Sequence, residues 1–223
     1  MSADSDRVSR QTPADTLLSS LFGDRDEVIK RYVDLLATDA VTRGLIGPRE
    51  VPRLWDRHII NCAVIEPAFG ANTTVADIGS GAGLPGVVLA IARPDLQVAV
   101  VEPLLRRASF LGEAVAALGL DNVEVIRARA EQLHGGRRFD SVTSRALAPL
   151  DRLLGWCWPL VGGGGQVAAI KGARANDELA EHADSIARLR PAGRAEVATY
   201  GENLVAQATI VVRIQSCRAS TEG

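Results

Sequence analysis

Two carboxylates and a glycine loop carry the densest chemistry in this sequence. The run Val75-Ala76-Asp77-Ile78-Gly79-Ser80-Gly81-Ala82-Gly83-Leu84-Pro85-Gly86 sets Asp77 two residues ahead of the first of three alternating glycines. Glycines in that spacing let a backbone turn tightly and come close to a ligand. Gly81 to Gly86 also fits the dinucleotide pattern GxGxxG, which is weak evidence alone. The acids say more. A carboxylate at Asp77 repels a pyrophosphate, whereas it suits a cationic sulfonium with an amino-acid tail. Glu102 falls where a second strand ends, and an acid there accepts hydrogen bonds from both hydroxyls of an adenosine ribose. Glu102 serves NAD and S-adenosylmethionine equally. Loop and Asp77 together favour S-adenosylmethionine, with Asp77, Gly79 and Gly81 in its site.

Other catalytic sets are missing from the sequence. There is no GxxxxGK[ST] phosphate loop and no GxSxG nucleophile elbow. His58, His134 and His182 show no metal-ligand spacing, so no metal is expected. Cys62, Cys157 and Cys217 form neither a CxxC nor a zinc pattern, as in a reduced intracellular chain. Arg49, Arg53 and Arg57 recur every four residues, which places them on one face of a helix with His58 beside the row. That row is either a phosphate-tracking stripe or a solvent face paired with Glu50 and Asp56. Trp156 and Trp158, on a helix before Pro159, suit a core better than a base stack.

The elements that position these residues follow from periodicity. Helical patterning runs to Phe69, with one helix opening at Asp24 and a second running from Pro48 through Cys62. Short apolar runs at residues 74–78, 97–101, 123–126, 139–143 and 166–170 read as strands. They alternate with helices at 84–92, 104–118, 149–158 and 177–189, which implies a parallel sheet covered on both faces. Two final strands, 195–200 and 206–214, joined by Gly201-Glu202-Asn203, must pair antiparallel because the link is too short for a crossover. The expected class is therefore α/β, a doubly wound seven-stranded sheet. Residues 1–12 read as a disordered tail, 13–70 as a helical extension, 71–216 as the catalytic domain and 217–223 as a second tail.

Composition bounds the rest. A chain of 223 residues, 47% hydrophobic and 23% charged, is neither disordered nor collagenous. Its longest uncharged run, residues 153–170, is broken by Pro159 and Gly162 to Gly165, so it reads as a helix–turn–strand join and not a membrane span. The N-terminus lacks a signal-peptide stretch, and a cytoplasmic location is expected. A net charge of −2 argues against indiscriminate polyanion binding and leaves room for local arginine patches.

From Asp77 to Gly86 the chain resembles the signature of the bacterial ribosomal small-subunit methyltransferase G family (RsmG, also called GidB). The likeness takes in Arg57-His58-Ile59, Arg93-Pro94, Arg106-Arg107 with Phe110-Leu111, Arg129-Ala130-Glu131, Phe139-Asp140, Ser144-Arg145-Ala146 and Lys171-Gly172. It covers about residues 45 to 215. It implies a Rossmann-like class I S-adenosylmethionine-dependent methyltransferase acting on N7 of a guanine in 16S rRNA, guanine 527 of the decoding region. The implied cofactor contacts are Gly79, Leu84, Ala130, Glu131 and Arg145, with Glu102 on the ribose. Arg145 and Lys171, at neighbouring strand ends, are the expected catalytic pair. Lys171 is notable because the chain has only one other lysine, Lys30. The implied partner is 16S rRNA or the 30S subunit, with no membrane and no obligate protein partner. Three rival readings stand: a class I methyltransferase of another RNA, protein or small molecule, an NAD-dependent oxidoreductase, and a non-catalytic RNA-binding module.

Guanine N7 suits the residues at hand. It already bears a lone pair and loses no proton on methylation, so no general base is needed. The (Asn/Asp)-Pro-Pro-(Tyr/Phe/Trp) run of exocyclic-amine methyltransferases is replaced here by Ser144-Arg145-Ala146, and no cysteine follows a proline as a cytosine-C5 nucleophile would.

Overall fold

A computed structural model describes residues 13–205 and 207–217. Seven strands form one sheet in the order β3-β2-β1-β4-β5-β7-β6. They are β1 Thr74–Ile78, β2 Gln97–Val101, β3 Val123–Ile126, β4 Phe139–Arg145, β5 Val161–Lys171, β6 Gly193–Tyr200 and β7 Thr209–Ser216. The first five pair in parallel, and β7 runs antiparallel to both β5 and β6. Strand order reverses between β1 and β4, so the crevice beyond their carboxyl ends is where a ligand binds in such sheets. The expected class, a doubly wound α/β sheet with helices ahead of it and an antiparallel pair behind, is the one observed.

β1 and β2 show why the sequence pattern was readable. Both bury four consecutive residues, because helices cover each face of a parallel sheet, and all of these are apolar except Asp77. The strand ends are sharp. Asp77 sits inside β1, and Glu102 is the first residue past β2.

Several boundaries differ from the periodicity reading. The segment from Pro48 is not one α-helix: it runs as a 3₁₀ helix over Pro48–Arg53, a π-helix over Leu54–Ile60 and a short α turn over Asn61–Ala63. Pro52 is the cause, since it has no N–H to donate and its ring crowds the preceding turn. Arg49, Arg53 and Arg57 are still exposed, but they do not form an ideal α-helical row. Gly162 to Gly165 are not a turn. They lie inside β5 as a bulge: Phe139 faces Val161, and the next pair is Ser141 with Gln166. The 177–189 helix is two, Ala175–Glu181 and Ala183–Ala187, separated at His182. The β6–β7 link spans residues 201–208 rather than the three expected, and Ala206, read as the start of the last strand, lies outside the described residues. So do both tails, apart from Cys217.

The N-terminal helices share a core with the sheet. Helices Asp15–Phe22 and Asp26–Leu35 bury Leu18, Phe22, Ile29, Tyr32 and Val33 in the same cluster as Val75, Val87, Val98 and Leu111. A second cluster, with Val142, Leu153, Leu160 and Val212, fills the opposite face. Tyr32 reaches furthest: it is wholly buried, and its hydroxyl donates to the Ala82 carbonyl in the glycine loop at 2.6 Å. The helical extension thus holds the loop from beneath.

Candidate active site

Two hollows open at the carboxyl ends of the parallel strands. The smaller, about 360 Å³, is lined by Gly79, Glu102, Arg107, Ala130, Glu131 and Trp156. The larger, about 1090 Å³, is lined by Arg57, His58, Arg145, Lys171 and Glu178 among others. Leu147 borders both and packs against the Cα of Gly79, so tightly that a Cβ there would strike it. A nucleoside-sized pocket and a wider cleft therefore share one wall.

Asp77 is fully buried. Its Oδ2 accepts hydrogen bonds from the Ser80 hydroxyl at 2.6 Å and the Gly86 N–H at 2.8 Å, tying the loop to the start of the helix Gly86–Ala92. Its Oδ1 has no partner. Burial pushes the carboxyl up to about 6, against the two hydrogen bonds and the Arg145 charge that pull it down. An orphaned, desolvated carboxylate oxygen under a glycine loop is a site that a cationic group relieves. On this observation the residues fit S-adenosylmethionine.

Glu102 is equally prepared. Only 1% exposed, it accepts the Gly81 N–H through Oε2 and the Leu104 N–H through Oε1, both at 3.0 Å, with the Arg107 guanidinium 3.7 Å away. Each carboxylate oxygen keeps a further lone pair for the pocket. Trp156, expected in the core, packs partly buried against it and also forms part of the pocket wall, while Trp158 is buried as expected.

Arg145 ends β4 at the cleft. Its Nη1 donates to the Arg57 carbonyl at 3.1 Å and its Nη2 to His58 Nδ1 at 2.8 Å. His58 is not part of an exposed row: it is largely covered, and its Nε2 lies 2.9 Å from Glu50 Oε2. Arg57 also approaches Glu50, at 3.5 Å. Lys171 reaches the cleft with its charge already matched. Its Nζ donates to the Ala148 carbonyl at 2.9 Å and pairs with Glu178 at 2.7 Å.

The structure thus gathers Gly79, Glu102, Ala130 and Glu131 at the pocket, and Arg57, His58, Arg145 and Lys171 at the cleft. Asp77, Gly81 and Leu84 stand behind the pocket as its support, and Arg49 and Arg53 line neither hollow. Tyr32, Leu147 and Glu178 carry no signal of a site in the sequence, whereas Glu50 reads there as a partner of the arginine row and does approach Arg57. Tyr32 reads as an ordinary core position on an amphipathic helix, and Leu147 and Glu178 lie within a few residues of Arg145 and Lys171 without a motif of their own. Among the described residues no cluster of three metal-ligating side chains occurs, and no helix is long and apolar enough to cross a membrane.

Comparison with known proteins gives these hollows a family. Among solved structures, an S-adenosylmethionine-dependent O-methyltransferase from Thermotoga maritima superimposes with a TM-score of 0.56 at 16% identity, over 77% of this chain and 71% of that one. An S-adenosylmethionine-dependent methyltransferase from Aquifex aeolicus gives 0.51 at 16%, over 84% and 98%. The fold is that of the class I S-adenosylmethionine-dependent methyltransferases. A relative from Nocardioides sp. named ribosomal RNA small subunit methyltransferase G is 57% identical over 94% of this chain and 84% of its own. One of the same name from Thermobifida fusca is 54% identical over 91% and 85%. The family model described as rRNA small subunit methyltransferase G matches residues 25–203, and S-adenosylmethionine is the cofactor of that family. The nicotinamide alternative lapses with these matches, and the chain belongs to the rRNA small subunit methyltransferase G family.

Proposed function

We propose that this protein methylates N7 of a guanine in 16S rRNA, guanine 527 by the family resemblance, in the cytoplasm and on the RNA or the 30S subunit. The observation that carries the reading is Arg145, a fixed cation in a cleft open enough for a nucleotide, two residues before Leu147, which walls that cleft from a nucleoside-sized pocket. When bound, S-adenosylmethionine supplies a methyl carbon whose bond to sulfur breaks as the N7 lone pair closes on it, leaving a neutral thioether and a cationic guanine with no proton to remove. Glu102 would hold the ribose hydroxyls, and Gly79, Ala130 and Glu131 the rest of the nucleoside. Asp77, buried behind the pocket wall, would favour the cationic end through its charge and not by contact. Arginine pairs with guanine through O6 and N7, but N7 must stay free to react, so Arg145 is restricted to O6 or to the methionine carboxylate. Lys171, paired with Glu178, holds the Ala148 carbonyl and with it the loop after Arg145. Aligning nucleophile and methyl carbon in this way is worth up to about 7–11 kcal/mol. Arg49, Arg53 and Arg57, all exposed, would follow phosphates beside the cleft.

The test is direct. Undermodified 30S subunits, the purified protein and labelled cofactor should yield N7-methylguanine at a single 16S rRNA position. Label at an exocyclic amine, on a different RNA, or nowhere would refute the reading.

Asp77 adds a pH dependence. With its native carboxyl at about 6, the group is neutral below that pH and charged above it, and only the charged form attracts a cation. Affinity for S-adenosylmethionine should therefore be level above about pH 7 and weaken by up to roughly tenfold per pH unit as pH falls below 6. Calorimetry across that range checks this, and Asp77→Asn should flatten the profile at the weaker affinity.

A further inference from the structure

We infer that His58 is a positioning residue for the transfer: locked in one tautomer between Glu50 and Arg145, it aims the Arg145 guanidinium into the cleft. The inference rests on the proposed methyl transfer and assigns His58, first read as an RNA contact, a different task.

The hydrogen-bond logic allows one arrangement. A guanidinium has donors only, so His58 Nδ1, 2.8 Å from Arg145 Nη2, must be the unprotonated acceptor. A carboxylate has acceptors only, so Nε2, 2.9 Å from Glu50 Oε2, carries the proton. Glu50 thereby selects the tautomer that leaves Nδ1 open to Arg145. Such a second partner fixing an imidazole is a familiar way of orienting a reactive group. The Arg57 carbonyl holds Nη1 at 3.1 Å, so two of the five guanidinium N–H groups are committed and three are left for the cleft that Arg145 lines.

The surroundings keep the ring neutral. Burial and the neighbouring Arg145 lower the His58 pKa from its ordinary value, against the Glu50 carboxylate, which raises it. Arg57 also opposes protonation, and Arg53 acts on Glu50 from the adjoining 3₁₀ segment. From the sheet side, Lys171 and Glu178 line the same cleft as a matched pair. A second proton would have to sit on Nδ1, head-on to Arg145.

Two substitutions separate the ring's two edges. An asparagine places its carbonyl near Nδ1, whereas a glutamine reaches the Nε2 position and vacates Nδ1. His58→Gln should lower kcat/KM for 30S methylation roughly tenfold to a hundredfold, while His58→Asn should restore it to within about threefold of wild type. Thermal unfolding of both should stay close to wild type. In an Arg145→Ala background His58→Gln should have no further effect, because its only target is gone. If His58→Gln fails to fold, Glu50→Ala supplies the same cycle, with about a fivefold loss that disappears beside Arg145→Ala. A wild-type rate for His58→Gln, or losses that multiply in the double variant, would overturn the inference. Nitrogen-15 NMR of the histidine rings, assigned with His58→Asn, reads the lock without any turnover: an unprotonated Nδ1 with Nε2–H is expected, and Nδ1–H would refute it. Should the wild-type protein leave 30S subunits unmethylated, the proposed function fails, and the NMR result still decides the lock.

Discussion

Arg145→Ala should lower methyl transfer to 30S subunits by about a hundredfold or more while leaving the fold intact. Removing one fixed donor aimed at the reacting groups typically costs about 10²–10³ in rate. Among the described residues lining the cleft, Arg145 is the cation with no carboxylate partner: Lys171 has Glu178, Arg57 leans on Glu50, and Arg145 is bonded instead to a neutral imidazole nitrogen and a carbonyl. Its charge is thus not neutralised by any of these neighbours. The fold should tolerate the change because Arg145 is half-exposed at a strand end, and the residues before it, Ser141 to Ser144, are already held by β1 and β5. Arg145→Lys should recover only part of the loss, since one ammonium on a flexible stem cannot bridge the Arg57 carbonyl and His58 Nδ1 as the planar fork does. Lys171→Ala should cost less in rate, about tenfold, and more in stability, because it strands the part-buried Glu178. Single-turnover methylation with thermal unfolding as control checks all three. A wild-type rate for Arg145→Ala would remove it from the reaction.

The two hollows differ in how far the sequence reveals them. The nucleoside pocket is built from strand ends in order, and strand ends show themselves as apolar runs that stop at a polar or glycine residue. Gly79 and Glu102 are such stops, and Asp77 is a lone acid one residue before the end of β1, which is why local pattern finds them. Lys171 and Arg145 are found the same way, one strand each. The cleft is different. His58 and Glu50 belong to a segment whose 3₁₀ and π turns follow from Pro52; a regular α-helical wheel puts His58 on the face of Val51 and Trp55 and Glu50 on its flank, and says nothing of a shared partner. The contact between His58 and Arg145 joins residues 87 positions apart. No spacing rule encodes it. Tyr32 is the plainest case: helical periodicity places it in the core correctly, yet its hydroxyl is bonded to a loop 50 residues on, and only the packed structure shows that the extension and the cofactor loop are one unit.

That union makes Gly83→Ala the most damaging small change in the loop. Gly83 adopts φ +101°, a conformation that costs an L-residue about 1–2 kcal/mol. Space is the larger obstacle. A Cβ there would lie 2.5 Å from the Tyr32 hydroxyl and 2.6 Å from Val87 Cγ2, with Leu111 Cδ2 at 3.1 Å. None can retreat cheaply: Tyr32 is pinned to the Ala82 carbonyl, and Val87 is a β-branched residue buried in the helix Gly86–Ala92. The loop must move instead, and Gly86 cannot follow, because its Cα already packs on Asp77 and Val100. Strain and overpacking together amount to about 3 kcal/mol, or a fall in Tm of roughly 10 °C for a domain of this size. Lifting the loop also parts Asp77 from Ser80 and Gly81 from Glu102, so affinity for S-adenosylhomocysteine should drop about a hundredfold. Gly112→Ala is the matching control. It sits in the helix Leu105–Leu118 with nothing within 4 Å of a new Cβ, and should be neutral or stabilising by about 0.5–1 kcal/mol. Calorimetric titration and thermal unfolding of both variants decide the matter, and wild-type affinity in Gly83→Ala would show that the loop is not held from below by Tyr32.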